Sequence, residues 1–314
     1  MRVNLDQARI LIPVLNGGAR WCEAAAALQA ATPDPSMVVV VDSGSRDGSD
    51  TVATEHGFEV RRIEPASFNH GRTRQEAIEQ FCQGRRFAIF LTQDAVVEGS
   101  DSLTELLNAF SDPQVGAAYG RQLPHRDAKP FEAHAALFNY RSVSETRSLT
   151  DAGRLGIKAA YMSNSFGAYR ISALAQCGGF PEHLILGEDA YAAMRMLMSG
   201  WRVRYCAEAL VRHSHAYTVL QEMRRYFDFG VMHAQIPELL QRFGAPEGEG
   251  ARFVLSELRH IWAVAPRLLP EVLVRNAGKY LGYRLGRIYT YLPRPLRSRM
   301  SMTKIYWTEN GKSI

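Results

Sequence analysis

Residues 37–49 read MVVVVDSGSRDGS and decide the fold class. The apolar run 37–41 predicts a strand buried on both faces, and the polar turn after it leads into a helix predicted at about 48–56. Upstream, residues 9–15 (RILIPVL) predict another buried strand, which is followed by a helix over 20–31. Two strongly apolar strands joined through a helix indicate the βαβ unit of a parallel sheet.

The same alternation continues downstream. Strands are predicted at 58–63, 87–91 and 115–119, and helices at 72–83 and 101–110. Further along, residues 130–147 predict a helix, and WRVRYC (201–206) and ALVRHSH (209–215) predict two short strands. We therefore predict an α/β fold with a mixed, mainly parallel sheet and helices on both faces. Such sheets bind ligands beyond the carboxyl ends of their strands, and the polar residues Asn16, 42–47 and Gln93-Asp94 lie there.

The second half of the chain divides at Ala245-Pro246-Glu247-Gly248. We predict one domain over 1–245 and a basic, mostly helical region over 246–314. From Ala251 onward the chain has twelve Lys and Arg against three acidic residues, whereas the remainder has 25 against 29, so the net charge of +5 belongs to the tail. Such a tail can bind an anionic lipid surface, a phosphorylated substrate or nucleic acid.

Composition limits the class of protein. The 314 residues are 46% hydrophobic and 22% charged, which excludes a disordered or fibrous chain. The four cysteines are far apart and form no CxxC pair, which argues against a disulfide framework or a cysteine zinc site. No run reaches the roughly 20 apolar residues of a membrane span, and the first residues lack the pattern of a signal peptide. We expect a cytoplasmic protein.

The turn over 42–48 (DSGSRDG) is the first candidate site. Its carboxylate, hydroxyl and glycine N–H groups can bind a nucleoside or phosphate, although capping of the next helix by Ser45 or Asp47 explains the same residues. The sequence has neither the GxGxxG pattern of a dinucleotide fold nor a Walker A motif here.

Three more groups carry chemistry. Asp94 at a strand end can hold a divalent metal, or it caps the next helix. His213 and His215 alternate in a predicted strand and share one face, where they can bind metal or phosphate. Glu188 and Asp189 begin a predicted helix, where acids are favoured by the helix dipole and where one can act as a general base.

The order of these segments resembles the inverting glycosyltransferases of family 2, which have the Rossmann-like GT-A fold. The resemblance extends from about Arg9 to His215. It is carried by ILIPVLNGG, VVVVDSGSRDGS, FNHGRTR, FLTQDA, GRQ, SNSFGAYR, GGFPEHLILGEDA and VRHSH. Within that family FNHG, TQDA and SNSFGAYR are most similar to the bacterial rhamnosyltransferase branch, which builds lipopolysaccharide O-antigen, core or related polysaccharides.

The resemblance implies a role for each segment. It assigns the nucleotide to Pro13, Asn16, Asp42, Ser43, Ser45, Asn69 and Gln93. It assigns the donor sugar and acceptor to Arg121, Gln122, Ser163 and Asn164. It implies Mg²⁺ or Mn²⁺ at the donor diphosphate, held by Asp94 with His215 or His213. In TQDA only Asp94 matches the last acid of the family's DXD motif, because Gln93 replaces an earlier acid. Asp189 matches the catalytic base, with Glu188 in support.

The implied reaction is a single displacement at the anomeric carbon of a nucleotide sugar. The donor suggested by the resemblance is dTDP-β-L-rhamnose, and the acceptor is a saccharide or lipid-linked saccharide. Alternatives are a family 2 enzyme that uses a UDP-hexose and a non-catalytic nucleotide-binding protein of the same fold. A nucleic-acid-binding protein ranks last, because acids dominate outside the tail and no such motif occurs.

The basic tail lies outside the resemblance. Its interleaved aromatic and cationic residues (YLGYRLGRIYTYLPRPLRSR) suggest peripheral contact with the cytoplasmic face of the inner membrane. A packed helical appendage with a solvated basic face is the alternative.

Overall fold

The computed structural model describes residues 3–244 and 247–309. In these residues nine strands form one sheet, in the order β3-β2-β1-β4-β8-β6-β9-β5, and β7 pairs with β9. The strands are β1 (Ala8–Val14), β2 (Val38–Asp42), β3 (Glu59–Arg62), β4 (Phe87–Leu91), β5 (Val96–Val97), β6 (Val115–Leu123), β7 (Glu145–Arg147), β8 (Phe166–Arg170) and β9 (Arg202–Arg212).

Helices cover both faces of this sheet. They are α1 (Gly18–Ala31), α2 (Ser49–Glu55), α3 (His70–Phe81), α4 (Ser102–Asn108), α5 (Pro130–Asn139), α6 (Ala152–Leu155), α7 (Ile171–Gln176), α8 (Glu188–Met198), α9 (Val219–Gln235), α10 (Pro237–Phe243), α11 (Glu247–Val264), α12 (Leu269–Arg287), α13 (Arg294–Met300) and α14 (Lys304–Glu309).

The central strands are buried on both faces because alternate side chains enter two separate cores. On β2, Val39 and Val41 pack in the core that includes α3, α7 and α8, whereas Val38 and Val40 pack against α1, α2 and α4. The strand-helix alternation with two apolar faces is the predicted α/β fold, and it is confirmed.

The sheet is parallel in one half and largely antiparallel in the other. β1 pairs in parallel with β2 and β4, and β2 pairs in parallel with β3. β8 runs antiparallel between β4 and β6, while β9 is parallel to β6. The carboxyl ends of β1, β2 and β4 therefore lie at one edge, which places the loops that carry Asn16, Asp42 and Asp94 side by side.

Two segments differ from the sequence prediction. The two short strands predicted in WRVRYC and ALVRHSH are one continuous strand, β9, whose register against β6 shifts between Gly120 and Arg121. The helix predicted over 130–147 ends at Asn139, because residues after it pair with the edge of β9 as β7. His213 and His215 thus follow a strand and do not alternate within it.

The C-terminal helices pack directly on α9. A Cβ atom at Gly282 would lie 2.1 Å from the Met223 carbonyl oxygen, and one at Gly286 would lie 2.1 Å from that of Phe227. The backbones of α9 and α12 therefore touch, which only glycine permits. In the predicted boundary, Ala245 and Pro246 lie outside the described residues, as does Lys312 of the tail. The division at residue 245 stays a prediction.

Candidate active site

A cleft of about 650 Å³ opens beside the carboxyl ends of β6, β9 and the start of α8. Its walls include Asp189, His213 and His215, three of the residues predicted for the site. The C-terminal region also contributes, since Phe253 of α11 and Lys279 of α12 line the same cleft. Residues from both predicted regions therefore form one concave surface.

Asp94, His213 and His215 converge at one side of this cleft. The His213 Nε2 atom lies 3.4 Å from Asp94 Oδ1, and the His215 Nδ1 atom lies 3.5 Å from Asp94 Oδ2. Their ligand atoms all lie within 4.8 Å of one another. This arrangement brings together the three residues predicted to hold a metal.

The tautomer of His213 is fixed by Gln122, which contacts the ring nitrogen that does not face Asp94. Its Nδ1 atom lies 2.7 Å from the Gln122 amide oxygen, and the amide nitrogen of Gln122 donates to the Ser163 hydroxyl at 2.8 Å. Because an amide oxygen only accepts, Nδ1 carries the hydrogen, so Nε2, which faces Asp94, is the ring nitrogen whose lone pair a cation can take. That buried Nε2 has no hydrogen-bond partner among the described residues. An unsatisfied lone pair facing a carboxylate fits a bound cation.

The electrostatics of this cluster suit a cation as well. Burial opposes ionisation of Asp94, but His213 and His215 beside it hold the pKa of the carboxyl below its usual value. Burial, and then the neighbouring His213, lower the pKa of His215 to about 4, so its ring is neutral at pH 7. One carboxylate and two imidazoles form a donor set used for divalent transition metals.

Gln93 explains why the motif before Asp94 lacks a second acid. Its amide oxygen accepts the Leu15 N–H at 2.7 Å, and its amide nitrogen donates to the Leu15 carbonyl at 3.2 Å. The side chain therefore joins the loop after β4 to the loop after β1. A carboxylate at this position could accept the first hydrogen bond but could not donate the second.

The loop after β2 is held by its own polar groups. The buried Asp42 carboxylate accepts the N–H groups of Gly44 and Ser45, each at 3.1 Å. The Ser43 hydroxyl donates to the carbonyl of Val14 at 3.1 Å. Asp47 in turn accepts the N–H of Ser49, which begins α2. Capping and turn formation thus occupy part of the hydrogen-bonding capacity that the sequence offered to a nucleotide.

The loops after β1 and β2 are also joined to each other. Asn16 has the left-handed φ of 49°, and its amide oxygen accepts the N–H of Arg46 at 2.9 Å. The Asn16 N–H donates to the Ser45 hydroxyl at 2.9 Å. Pro13 precedes this loop in β1 and is half-buried. These predicted nucleotide residues therefore lie together, and their nucleotide contacts stay predictions.

Asp189 and Glu188 begin α8, directly after Gly187, whose φ is 81°. Asn164 contacts both acids: its backbone N–H donates to Asp189 Oδ2 at 3.1 Å, and its side-chain amide donates to Glu188 Oε1 at 2.9 Å. The Tyr169 hydroxyl donates to the Asn164 amide oxygen at 2.9 Å and fixes its orientation. Neighbouring strands and helix thus hold the two carboxylates in defined positions.

The two carboxylates have opposite pKa shifts. Burial and the adjacent Glu188 raise the pKa of Asp189 to about 6, against the N–H groups of Asn164 and Ala190. Burial opposes ionisation of Glu188 too, but Arg74 and then His70 hold its pKa below the usual value. A carboxylate whose pKa lies near neutrality is suited to general-base catalysis.

Among the residues predicted to bind sugar and acceptor, Gln122, Ser163 and Asn164 line the cleft and Arg121 does not. The Arg121 Nε atom donates to the carbonyl of Tyr140. Asn69 caps α3 by accepting the N–H groups of Gly71 and Arg72, and its amide donates to the Glu182 carbonyl. The nucleotide contact of Asn69 stays a prediction.

Sequence reasoning missed two arginines of the cleft. Arg74 lies on the buried face of α3, and its ion pair with Glu188 explains why an arginine occupies that position. Arg225 on α9 lines the cleft, with its guanidinium 4.9 Å from the centre of the Phe229 ring. It has no acidic partner within the described part of the chain. The sequence offered one signal for Arg74, because a charged residue stands at a core position of the helix. It offered no signal that distinguishes Arg225 from Arg224.

No helix in the described ranges is both long and apolar enough to cross a membrane.

Comparisons with known proteins agree on one family. The family described as "Glycosyltransferase like family 2" matches residues 20–228. Over 299 residues, which are 95% of each chain, this protein is 45% identical to the O-antigen chain rhamnosyltransferase WbaN of Salmonella anatum. It is 44% identical over the same share to the O-antigen chain rhamnosyltransferase RfbN of Salmonella typhimurium (strain LT2).

Solved structures agree with this at the level of fold. The mannosyltransferase PcManGT from Pyrobaculum calidifontis, in complex with GDP-Man and Mn²⁺, has a TM-score of 0.54 at 15% identity, over 98% of this chain and 87% of that one. Residues 1–349 of S. aureus TarS, in complex with UDP-GlcNAc, have a TM-score of 0.52 at 17% identity, over 90% and 91% of the two chains. The protein described here belongs to the family 2-like glycosyltransferases.

Proposed function

We propose that the protein transfers L-rhamnose from dTDP-β-L-rhamnose to a hydroxyl of a saccharide acceptor during the synthesis of lipopolysaccharide O-antigen or core. The names of two relatives that are 45% and 44% identical over nearly the full chain support this substrate class. The observation that carries the chemistry is that Asp189 and the histidines of the Asp94 cluster line one cleft.

In the proposed reaction Asp189 acts as the general base. Its carboxylate takes the proton of the acceptor hydroxyl, while the acceptor oxygen forms a bond to the anomeric carbon. The bond from that carbon to the diphosphate oxygen breaks, and the diphosphate leaves with the electron pair. Because attack and departure occur on opposite faces, the configuration inverts and the product is an α-L-rhamnoside. A well-placed base contributes about 10²–10⁴ in rate.

Asp94, His213 and His215 would hold the Mg²⁺ or Mn²⁺ that this family's fold implies. When bound, the ion supplies positive charge against the charge that develops on the leaving diphosphate. We propose that this site binds Mn²⁺ more tightly than Mg²⁺. Mg²⁺ favours oxygen donors, whereas two of these three ligands are imidazoles. Arg225 has no acidic partner among the described residues and would add a permanent positive charge for phosphate oxygens.

The nucleotide is proposed to bind at the joined loops of Asn16 and Asp42, with Pro13, Ser43 and Ser45. Gln122 and Ser163 would face the donor sugar or the acceptor. Thymine and uracil present the same N3–H and O4 edge, so a carboxylate such as Asp42 does not distinguish dTDP from UDP. The runner-up function is therefore transfer from a UDP-hexose.

We also propose that residues 1–245 form the catalytic domain and that 246–314 complete one wall of its cleft, through Phe253 and Lys279. A lipid-linked acceptor would meet this cleft at the cytoplasmic face of the inner membrane.

The test begins with thermal unfolding of the full chain with dTDP, UDP, GDP or ADP, each with Mn²⁺, with Mg²⁺ and without metal. A ligand at 100 times its Kd stabilises by about 2.7 kcal/mol. We expect metal-dependent stabilisation by dTDP, and then turnover of dTDP-β-L-rhamnose to an α-linked product by NMR. Stabilisation by UDP alone would favour the UDP-hexose reaction. Nucleotide binding without turnover of any sugar donor would favour a non-catalytic protein.

A further inference from the structure

The helix α12 exposes four large apolar residues, although Val272 is buried and Leu269 and Leu285 pack against the interior. The residues that it buries are mostly charged or glycine: Val272, Arg275, Lys279, Gly282 and Gly286. The large apolar residues at the intervening positions are exposed: Leu273, Val274, Tyr280 and Leu281, followed by Ile288 just after the helix. They recur at intervals of seven residues (273 and 280; 274, 281 and 288), which is about two helical turns, and so form one stripe along the helix. An amphipathic helix of a globular domain normally has the opposite orientation.

Buried ion pairs explain how the inner face tolerates charge. Arg275 pairs with Glu222 at 3.1 Å and with Glu271 at 2.7 Å, and Lys279 lies 3.7 Å from Glu257. The glycines then let the α12 backbone reach α9. The orientation of α12 is therefore set by these contacts, and its apolar stripe is left without a partner in the chain as described.

The adjoining helix α11 also exposes large apolar residues. Trp262 is 70% exposed, and Leu255 and Val264 are exposed on the same helix, interspersed with Arg252 and Arg259. Ten of the fifteen large apolar side chains that are exposed in the described residues lie between Leu255 and Leu296. Such clustering indicates an interaction surface, because singly exposed apolar residues would be scattered. We call the exposed residues of 251–288 the α11–α12 outer surface.

This surface is also strongly cationic. Its exposed charges are Arg252, Arg259, Arg267 and Arg284, and Arg294, Arg299 and Lys304 follow. Over 251–308 the two carboxylates are Glu257, which is buried, and Glu271, which pairs with Arg275. Glu249, just before this range, pairs with Arg252 at 2.6 Å. Arg259, Arg267 and Arg284 have no acidic partner among the described residues. A second copy of the same surface would oppose positive charge with positive charge, whereas an anionic lipid surface complements both the charge and the apolar stripe.

We propose that the α11–α12 outer surface docks on the anionic interface of a lipid bilayer. The two helices lie along the interface, with Leu273, Leu281 and Ile288 among the acyl chains and the arginines at the lipid phosphates. Trp262 and Tyr280 lie at the boundary, where their rings have both apolar and polar surroundings. This docking does not depend on which nucleotide sugar the cleft binds.

The test is cosedimentation of the full chain with vesicles of phosphatidylglycerol and phosphatidylcholine, compared with phosphatidylcholine alone. We expect binding to the anionic vesicles, and release at about 1 M salt, where the Debye length is about 3 Å. The variants Leu273→Ser/Leu281→Ser and Arg259→Glu/Arg284→Glu should each weaken binding at least about tenfold. Val143→Ser and Arg61→Glu, which alter exposed residues elsewhere, are the matched controls and should bind as the original chain does.

A second readout protects the test against misfolded variants. Brominated lipids should quench part of the tryptophan fluorescence of the original chain, and Trp262→Phe should remove that part. Transfer to a soluble acceptor without vesicles should be unchanged in the Leu273→Ser/Leu281→Ser variant, which separates docking from catalysis. Equal vesicle binding by that variant and the original chain would overturn the proposal. So would a dimer that the same variant dissociates, together with no binding to anionic vesicles.

Discussion

Arg74 and Glu188 form an ion pair, with 3.1 Å between Arg74 Nη1 and Glu188 Oε1, and both side chains are almost completely buried. The pair lies next to the proposed base, because Glu188 precedes Asp189 in α8. It keeps a negative charge beside Asp189 and so contributes to the raised pKa of that residue.

Breaking this pair from one side should destabilise the fold. We expect Arg74→Met to cost about 3–5 kcal/mol, because a buried carboxylate loses its partner. The double variant Arg74→Met/Glu188→Leu should cost less than Arg74→Met alone, since it leaves no buried charge behind. Urea unfolding of Arg74→Met, Glu188→Leu and the double variant measures the coupling energy between the two residues. Additive costs would contradict the interpretation.

The raised pKa of Asp189 predicts that the proposed base destabilises the protein. The folded pKa, about 6, exceeds the ordinary value of 3.8, so the folded state binds the proton more tightly than the unfolded state. Asp189 therefore costs stability above about pH 6, and this cost disappears as the pH falls below about 4. Asp189→Asn should raise the unfolding free energy at pH 7.5 by about 1–3 kcal/mol while abolishing turnover. Equal stability of the two proteins at pH 7.5 would argue against a raised pKa.

The pH dependence of catalysis gives a related prediction. The acid limb of kcat/KM should follow the pKa of Asp189 in the free enzyme. Glu188→Gln removes the adjacent negative charge, so the acid limb should move to lower pH. An unchanged limb would mean that another group controls it. Nucleotide binding measured with the same variant serves as the control for a folded site.

Metal binding should depend on Gln122, although Gln122 is not a ligand in the proposal. Its amide oxygen fixes the hydrogen on His213 Nδ1 and so leaves the lone pair on Nε2, which faces Asp94. We expect Gln122→Leu to weaken Mn²⁺ binding about 10–100-fold, as loss of such supporting contacts does at metal sites. Calorimetry with Mn²⁺ in the presence of dTDP measures it. Gln83→Leu, at an exposed glutamine, is the control.

Arg225 should matter for the diphosphate and not for folding. Loss of a charge-assisted hydrogen bond costs about 1.5–3 kcal/mol, so Arg225→Ala should raise the Kd for dTDP roughly 10–150-fold. Arg224→Ala alters the neighbouring arginine of α9, which is not among the residues that line the cleft. A similar loss in both variants would indicate a general effect on α9.

The elements that the sequence predicted best are those whose burial is simplest. β1, β2 and β4 were predicted within one residue at each end, because strands buried on both faces read as continuous apolar runs. The meeting of Asp94, His213 and His215 was implied by the resemblance to the family 2 glycosyltransferases. By contrast, β7 and the single long β9 depend on strand pairing between distant segments, which periodicity does not reveal.

The partners of buried charged residues could not be predicted from the sequence. Arg74 and Lys279 are hydrophilic by type, and nothing local states that Glu188 and Glu257 will meet them in the fold. The outward stripe of α12 has the same origin. A hydrophobic pattern predicts which residues share a face, but the partner helix decides whether that face points in or out.

At Gly282 and Gly286 the backbone of α12 touches that of α9, with no side chain between them at these two points that could yield. We therefore expect α9 and α12 to move as one rigid unit, with Leu273 and Leu281 on its outer side and Arg225 on the side of the cleft. A surface that binds the outer stripe of α12 would therefore set the orientation of the cleft, and it would do so without changing the residues that carry the reaction.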